Sequence, residues 1–360
     1  MELNYNMDIL SLKNINPLMK TGDFFITILD GQLVEKLSNT PESITAVCDN
    51  SFDNNFISRN FKKIKTEKKH KSKPGYLLTL KSSEKEQVDL HINNINTAQC
   101  PQKQNLHNRF ILEKNTSVNI IEQTFFLDNT NLIHAHDTVS EWFVCDNASL
   151  CYYSFGPTNN HMHSTQNNSC FIHQKQNSNC SFFTFYWGMG KTTNSIQAHL
   201  IEKNISCWLH SISLLKGSSF VSNDVTVTHH SSNCESSQDY KGIYDDESRG
   251  IFNGNILVKT NAQKTNAFQN NNNILLSDYA SIQSNPQLEI FADDVKCSHG
   301  STTGQLDEAA LFYLRSRGYS KSLANSVLLQ AFLTSVTNNI QHEELKKSVI
   351  LKLTKKLGVN

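Results

Sequence analysis

A thiol and an imidazole stand two residues apart in the segment VKCSHG at positions 295–300. Residues i and i+2 of a β-strand project from the same face, so a strand that runs through residue 299 places Cys297 beside His299. A nearby cationic imidazole or lysine lowers the pKa of a thiol and favours the thiolate, which is the form that binds iron or carries sulfur. The same geometry is poor for hydrogen bonding between a nucleophile and its base. The pair is therefore either a ligand or sulfur-handling site, or two packed side chains.

Two His-x-His pairs have the spacing of metal ligands. His134 and His136, and likewise His161 and His163, would face one side of a strand, an arrangement that can chelate a metal. Asp137 beside the first pair is the one supporting ligand type, and no third histidine follows at a useful spacing. Ordinary surface or core histidines account for such pairs at least as well as a metal site does.

A looser group contains His229, His230 and Cys234. His229 shares the period-2 phase of Val225 and Val227, which favours a buried histidine over a ligand.

Two acidic doublets, Asp245 with Asp246 and Asp293 with Asp294, could supply the paired carboxylates of an enzyme that acts on polysaccharide. Adjacent residues of a strand point to opposite faces, so each doublet offers one inward carboxylate. Such doublets are also typical of turns. A polysaccharide-active enzyme remains an alternative, because such enzymes share the β-solenoid architecture that is one of the folds expected for this chain.

The segment WGMGKTT at 187–193 ends like a phosphate-binding loop. That motif needs a glycine five residues before Gly190, where this chain has Phe185, and a helix after the lysine. Neither condition is met, so the sequence predicts no nucleotide site.

The elements that must position these residues are mainly strands. From about residue 108 to 300, short β-type runs alternate with Asn, Ser, Gly and Asp turns, without a helical interruption. This texture predicts a sandwich, a barrel or a parallel β-solenoid, and the Asn-rich turn at 269–273 favours the solenoid. Asn is abundant throughout the chain and also suits left-handed turn positions.

After Gly304 the hydrophobic period becomes helical. Asp307 lies near the start of a first helix, Ser320 can cap a second, and a third is predicted at 343–356. Three short amphipathic helices after a β body form a natural docking appendage. The residues that we expect on its docking surface are Leu306, Tyr313, Leu314, Leu323, Val327 and Phe332. The predicted domains are a partly helical N-terminal region at 1–107, a β core at 108–305 and this helical segment at 306–360.

The bulk composition excludes several classes of protein. The 360-residue chain has 33 basic and 33 acidic residues, so no overall field attracts nucleic acid or an anionic membrane. No apolar run approaches the ~18 residues of a membrane span. The first residues lack the pattern of a secretory or transit peptide, and nine cysteines without a CxxC pair are typical of reduced thiols. We therefore expect a cytoplasmic protein.

Two segments resemble the SufB/SufD family of iron–sulfur cluster assembly proteins. One is PQLEIFADDVKCSHGSTTGQLDEAALFYLRSRGYS at 286–320; the other is DYKGIYDDESRGIFNGNILVKTNAQKTNAFQNNNNILLSD at 239–278. Within the family, the triplet Cys297-Ser298-His299 resembles the D-type paralogs, whereas B-type paralogs have a cysteine where this chain has Asn271. Ser301 stands where alanine is usual, and the N-terminal part is short for the family.

The resemblance implies a right-handed parallel β-helix flanked by helical segments. It also implies that the chain pairs with a SufB-like paralog and that its C-terminal helices dock a SufC-like ABC ATPase. A desulfurase system would supply sulfur, and a transient Fe–S cluster would form at the interface with the paralog. No cofactor is then expected in the isolated chain, and neither nucleic acid nor membrane is a partner.

The family's interfacial cysteine and histidine correspond to Cys297 and His299. His299 is the better ligand candidate, because neutral imidazole suits iron and holds a cluster less firmly than thiolates alone. His229 and Cys234 match a less specific pair and form a second candidate.

The favoured hypothesis is thus a non-enzymatic scaffold subunit. The alternatives are a polysaccharide-active β-solenoid, and a purely structural strand end beside a docking module.

Overall fold

The computed structural model describes residues 16, 18, 23–48, 73–81, 88–97, 103–126, 135–156, 164–187 and 190–358. Within these residues the chain forms strands followed by three helices. The strands are β1 (Phe24–Leu29), β2 (Gln32–Leu33), β3 (Ile44–Cys48), β4 (Lys73–Leu80), β5 (Val88–Asn96), β6 (Lys103–Leu112), β7 (Ser117–Phe126), β8 (Ala135–Val144), β9 (Ser149–Phe155), β10 (Thr165–Gln174), β11 (Asn179–Tyr186), β12 (Lys191–Leu200), β13 (Ser206–Leu215), β14 (Phe220–His229), β15 (Glu235–Tyr244), β16 (Arg249–Val258), β17 (Thr265–Leu275), β18 (Ser281–Ile290) and β19 (Val295–Gly304). A single 3₁₀ turn occupies Glu35–Leu37.

The strands alternate between two stacked sheets. Sheet A has the order β19-β17-β15-β13-β11-β9-β7-β5-β1-β2, and sheet B has the order β18-β16-β14-β12-β10-β8-β6-β4-β3. The pairings are parallel except for β1 with β2 and β3 with β4. The chain therefore winds from one sheet to the other and back, which is a parallel β-solenoid, as the sequence predicted.

The coils of the solenoid are in register. Side chains that hydrogen-bond between successive coils are separated by about one coil of sequence, for example 27 residues for Asn177 with Asn204 and 31 for Gln238 with Gln269. Burial alternates regularly along strands such as β12 and β16, because every second side chain faces the interior between the sheets. Stacked apolar side chains fill that interior, including Phe110 and Trp142, whose ring centroids are 3.7 Å apart.

Asparagines turn the chain between coils. In the turns from sheet B to sheet A, the residues with positive φ include Asn115, Asn147, Asn177, Asn204 and Asn233, with Lys264 continuing the series. Asparagine tolerates the left-handed conformation, and its amide can pair with the same amide in the next coil. The amide of Asn177 donates to Asn147 at 3.0 Å and accepts from Asn204 at 3.0 Å, so the turns form a ladder.

The three helices are α1 (Glu308–Ser316), α2 (Lys321–Asn338) and α3 (Glu343–Lys356). Asp307 accepts hydrogen bonds from the first turn of α1, and Ser320 caps α2, as predicted. Gly318 ends the first helical segment at φ +94°. None of the described helices is long and apolar enough to cross a membrane.

Helices α2 and α3 lie on the outer face of sheet A. Their buried side chains are Leu329, Leu333, Val336, Leu345, Val349 and Leu353, which pack on aromatic residues of sheet A such as Tyr153, Phe183 and Trp187. Polar contacts also tie the pair to the solenoid, because Lys241 donates to the carbonyl of Phe332 and His342 contacts Asp89.

The stack of strands extends upstream of residue 108. Strands β4 and β5 pair in parallel with β6 and β7 of the following coil. The two sheets end at antiparallel β2 and β3, so the solenoid includes strands from the part of the chain that we expected to form a separate N-terminal region. The division at 107, 305 and 360 stays a prediction.

Candidate functional site

Strand β19 is the last strand of sheet A, and it pairs only with β17 among the described strands. It runs through residue 299, so Cys297 and His299 project from the same face, as the sequence predicted. Their partners in β17 are Ala267 and Gln269, both buried. The two side chains therefore follow the interior phase of the solenoid, at a level where no further coil covers them.

The two residues differ in exposure. Cys297 is half-buried and packs against a small apolar cluster that includes Ile256, Ala267 and Ala292. His299 lies further along the strand and is exposed. One end of this pair is thus anchored in the core, while the imidazole faces outward from the end of the solenoid.

The thiol of Cys297 is not activated in this chain. Burial raises its pKa above the usual value, and a hydrogen bond with the backbone of Ala267 only partly offsets that effect. The sequence argument expected the neighbouring imidazole or lysine to lower the pKa. The structure differs because desolvation is the largest effect on the thiol, and Lys296 is exposed on the opposite face.

The end of the solenoid at β18 and β19 is open. Both strands are largely exposed and have a neighbour on one side only among the described residues. Ser301 Oγ donates to Ser284 Oγ at 2.8 Å, which ties the last strands of the two sheets together. Large apolar side chains surround this end, with Tyr279 and Phe291 exposed by 78% and 61%. The sequence analysis missed these two; an aromatic residue in a predicted polar turn is the signal that could have found them.

The second candidate pair lies inside the solenoid. His229 is fully buried, its Nε2 is 2.9 Å from Ser236 Oγ, and burial lowers its pKa to about 4. Cys234 is also buried and donates to the carbonyl of Glu202 at 3.2 Å. Both residues belong to coils before β19, so the structure does not bring them together with His299.

The acidic doublets do not face each other. Asp245 and Asp246 lie in the turn between β15 and β16, where Asp246 accepts from the backbone N–H of Gly217 at 2.9 Å. Asp293 and Asp294 lie in the turn between β18 and β19, on the other seam between the sheets. Their turn positions do not supply the opposed carboxylates that glycosidic cleavage requires.

The remaining motifs form no metal or nucleotide site within the described residues. No group of three His, Cys, Asp or Glu side chains in that part of the chain is arranged to hold a metal ion. His134, His161 and His163 lie outside the described residues. Lys191 begins strand β12 and is not followed by a helix.

The predicted docking residues are divided between the exposed helix α1, half-buried positions and the margin of the interface between the helices and the solenoid. Helix α1 has no buried residue, and Phe312 and Tyr313 on it are exposed by 75% and 57%. Leu314, Leu323 and Val327 are half-buried. Leu306 and Phe332 lie at the margin of the apolar cluster under α2 and α3. The sequence analysis did not single out Phe312, the most exposed of these aromatic residues.

The chain is similar in sequence to a known protein family and to several of its members. Residues 93–332 match the family described as SUF system FeS cluster assembly, SufBD core domain. The chain is 41% identical over 131 residues to the iron–sulfur cluster assembly protein SufD of Escherichia coli; this alignment covers 36% of the chain and 31% of that protein. It is 34% identical over 116 residues to SufD of Bacillus subtilis, covering 32% and 26%. A SufBD family protein of Synechocystis is 45% identical over 101 residues, covering 28% and 22%. These alignments span less than a third of each relative.

Proposed function

Because the chain belongs to the SufB/SufD family and is most like SufD, we propose that it is a subunit of a SUF-type scaffold for iron–sulfur cluster assembly. In this proposal it pairs with a SufB-like paralog, and the cluster is the cargo that forms between the two chains. The observation that carries the proposal is the open end of the solenoid, where His299 and Cys297 stand beside unpaired strand edges.

The open end supports pairing with another β-solenoid. Unpaired edge strands present backbone donors and acceptors that a second sheet can satisfy. The exposed Tyr279 and Phe291 would gain burial in the same contact. A SufB-like paralog, which would have coils of the same dimensions, is the partner whose edges match best.

His299 and Cys297 then form half of a site. His299 is exposed on the interior phase of the last strand, so a ligand group from the partner can approach it. Imidazole nitrogen is a suitable ligand for iron. Cys297 has a raised pKa in this chain, so its thiol would become a ligand or sulfur carrier only after iron or the partner displaces the proton.

The C-terminal helices would dock the ATPase of the complex. Helices α2 and α3 are fixed on sheet A, whereas α1 presents exposed Phe312 and Tyr313. Exposed aromatic residues on a rigid element are common anchors of protein interfaces. We therefore assign ATP hydrolysis to a SufC-like ABC ATPase and no catalytic step to this chain. A desulfurase system would deliver sulfur, and the assembly would be cytoplasmic.

Co-expression with a SufB-like paralog and a SufC-like ATPase tests the proposal. The chain should copurify with both, and a His299→Ala complex should assemble normally but yield less cluster after anaerobic reconstitution. Ser298→Ala is the matched control, because Ser298 is the exposed neighbour on the opposite face. A Phe312→Ser variant should lose the ATPase while it keeps the paralog. Failure to copurify with either partner, or an unchanged cluster yield from His299→Ala, would contradict the proposal.

A further inference from the structure

A column of polar side chains runs through the interior of sheet A and ends at His299. Gln238 in β15 is in register with Gln269 in β17, and Gln269 is in register with His299 in β19. Parallel strands lie about 4.8 Å apart, so side chains in register stack on one another. Both glutamines are almost completely buried, with exposures of 0% and 1%. The exposed imidazole therefore stands at the end of a buried amide ladder.

The hydrogen bonds give this ladder a fixed direction. Gln238 Nε2 donates to the backbone carbonyl of Asn255 at 3.3 Å, and that carbonyl can only accept. The orientation of the Gln238 amide is thereby set, and its Oε1 accepts from Gln269 Nε2 at 2.6 Å. Gln269 thus donates toward the preceding coil, whereas Gln238 donates to the facing strand β16. The oxygen of each amide is then the group available to the coil that follows.

At the end of the ladder an acceptor is left over. Oε1 of Gln269 is buried and has no hydrogen-bond partner among the residues that the structure describes. Buried polar atoms of this kind are rare because they lose water without a replacement. The next position of the column is His299, whose ring can supply an N–H donor.

Gly254 leaves the space that the Gln269 amide occupies. A Cβ atom at Gly254, on the facing sheet, would lie 2.0 Å from Gln269 Nε2. Any side chain there would displace the glutamine from the column. The glycine thus permits the amide to occupy its place behind His299.

We infer that Gln269 is the positioning residue for His299. Its Oε1, which has no partner among the described residues, would be the acceptor for the N–H of one ring nitrogen, and that bond would fix the tautomer and the plane of the ring. The other nitrogen keeps its lone pair and faces the open end, where a metal can bind it. Such hydrogen bonds from outside the ligand shell orient metal-binding histidines. The ring orientation is a property of this chain, while its use for iron rests on the proposed function.

Nuclear magnetic resonance of the full chain tests the orientation directly. Ring nitrogens labelled with ¹⁵N and assigned with a His299→Ala variant should show one tautomer of neutral His299. In Gln269→Met, which removes the amide at similar volume, the two ring nitrogens should become averaged between tautomers. Gln269→Glu should retain a single tautomer because it keeps an acceptor, and it also serves if the methionine variant does not fold. Gln174→Met is the control, since Gln174 is another buried amide in a distant coil.

Averaged ring nitrogens in the unmodified chain, or a single tautomer in folded Gln269→Met, would overturn the inference. A second measurement separates it from the proposed function. In the complex with the paralog and the ATPase, Gln269→Met should lose cluster to a chelator ~10-fold faster or more. If His299→Ala alone changes cluster retention, only the positioning role fails. If neither variant changes it while the tautomer is fixed as expected, the positioning stands and the ligand role in the proposed function fails.

Discussion

At the scale of single residues, the two candidate site residues Cys297 and His299 differ in how far their side chains are buried. Cys297 packs into an apolar cluster that raises the pKa of its thiol, whereas His299 is exposed. A neutral thiol is a poor nucleophile and a poor ligand. The isolated chain therefore keeps the cysteine in its less reactive, neutral form.

Alkylation of Cys297 should reflect this protection. Because its pKa is raised, the thiolate fraction at neutral pH is smaller than that of a free cysteine, and alkylation by iodoacetamide should be slower. The rate should keep rising as the pH passes the ordinary thiol value of about 8.5. Mass spectrometry of the peptide that contains Cys297 measures the rate, with glutathione as the reference thiol. Alkylation as fast as that of glutathione at neutral pH would contradict the burial argument.

Buried histidines should make the protein less stable in mild acid. Burial lowers the pKa of His229 and of His210 to about 4, so the folded chain holds both neutral. As the pH falls below the ordinary value of about 6.5, the unfolded chain takes up protons first. The stabilisation that is complete above that pH should fall by about 2 kcal/mol per histidine between pH 7 and pH 5, and the loss should end near pH 4.

Urea unfolding at these two pH values measures that change in the free energy of unfolding. His229→Gln is the matched variant, since its amide can still hydrogen-bond to Ser236 but does not titrate. Its stability should depend less on pH than that of the unmodified chain. An equal dependence would assign the effect to other groups.

At the scale of elements, local sequence patterns predicted which segments form strands and helices, but not which helix face packs on the solenoid. The alternation of strands with Asn-rich turns indicated a solenoid, because asparagine suits the left-handed turn that each coil needs. The sequence also predicted that Asp307 lies at the start of α1 and that Ser320 caps α2. The face of α2 that packs on the solenoid was not predicted: Leu329, Leu333 and Val336 are buried there, whereas Leu323 and Val327, which we expected on the docking surface, are half-buried.

The candidate site shows the same limit. The spacing of Cys297 and His299 revealed that they share a face, because that depends on two neighbouring residues of one strand. The amide column behind His299 could not be found, because it depends on register between residues 31 apart, as for Gln238 and Gln269. No local signal fixes a register of that range when the strands are joined by turns and loops of varying length.

The asparagine ladder should contribute measurably to stability. Asn177 has a φ of 59° and pairs with the amides of two neighbouring coils. Asn177→Ala should lower the free energy of unfolding by about 1–2 kcal/mol, because alanine is strained in the left-handed region. Asn177→Gly should cost less, since glycine adopts this conformation freely. Urea denaturation compares the two, with Lys203→Ala in a neighbouring turn as the control; equal losses would exclude backbone strain as the cause.

At the scale of the whole molecule, the two ends of the solenoid are unlike. Antiparallel strands β2 and β3 cover one end, and β18 and β19 leave the other open. Phe291→Asp should therefore abolish copurification with a SufB-like paralog, because it puts a charge into the contact that the aromatic ring would make. Its unfolding midpoint should stay unchanged, since Phe291 is exposed in the isolated chain. Retained pairing would place the interface elsewhere.

A stack of coils in which each contacts only its neighbours behaves as a one-dimensional chain of coupled units. The coil of β18 and β19 has one neighbour, so it receives about half the interface energy of an internal coil and is the first to fray. The candidate residues Cys297 and His299 thus lie in a coil that has one neighbouring coil among the described residues. A partner that docks there supplies the missing neighbour. In the proposed complex, ordering of the last coil and formation of the complete site would be one cooperative event, and a cluster would be held firmly only while the two chains are joined.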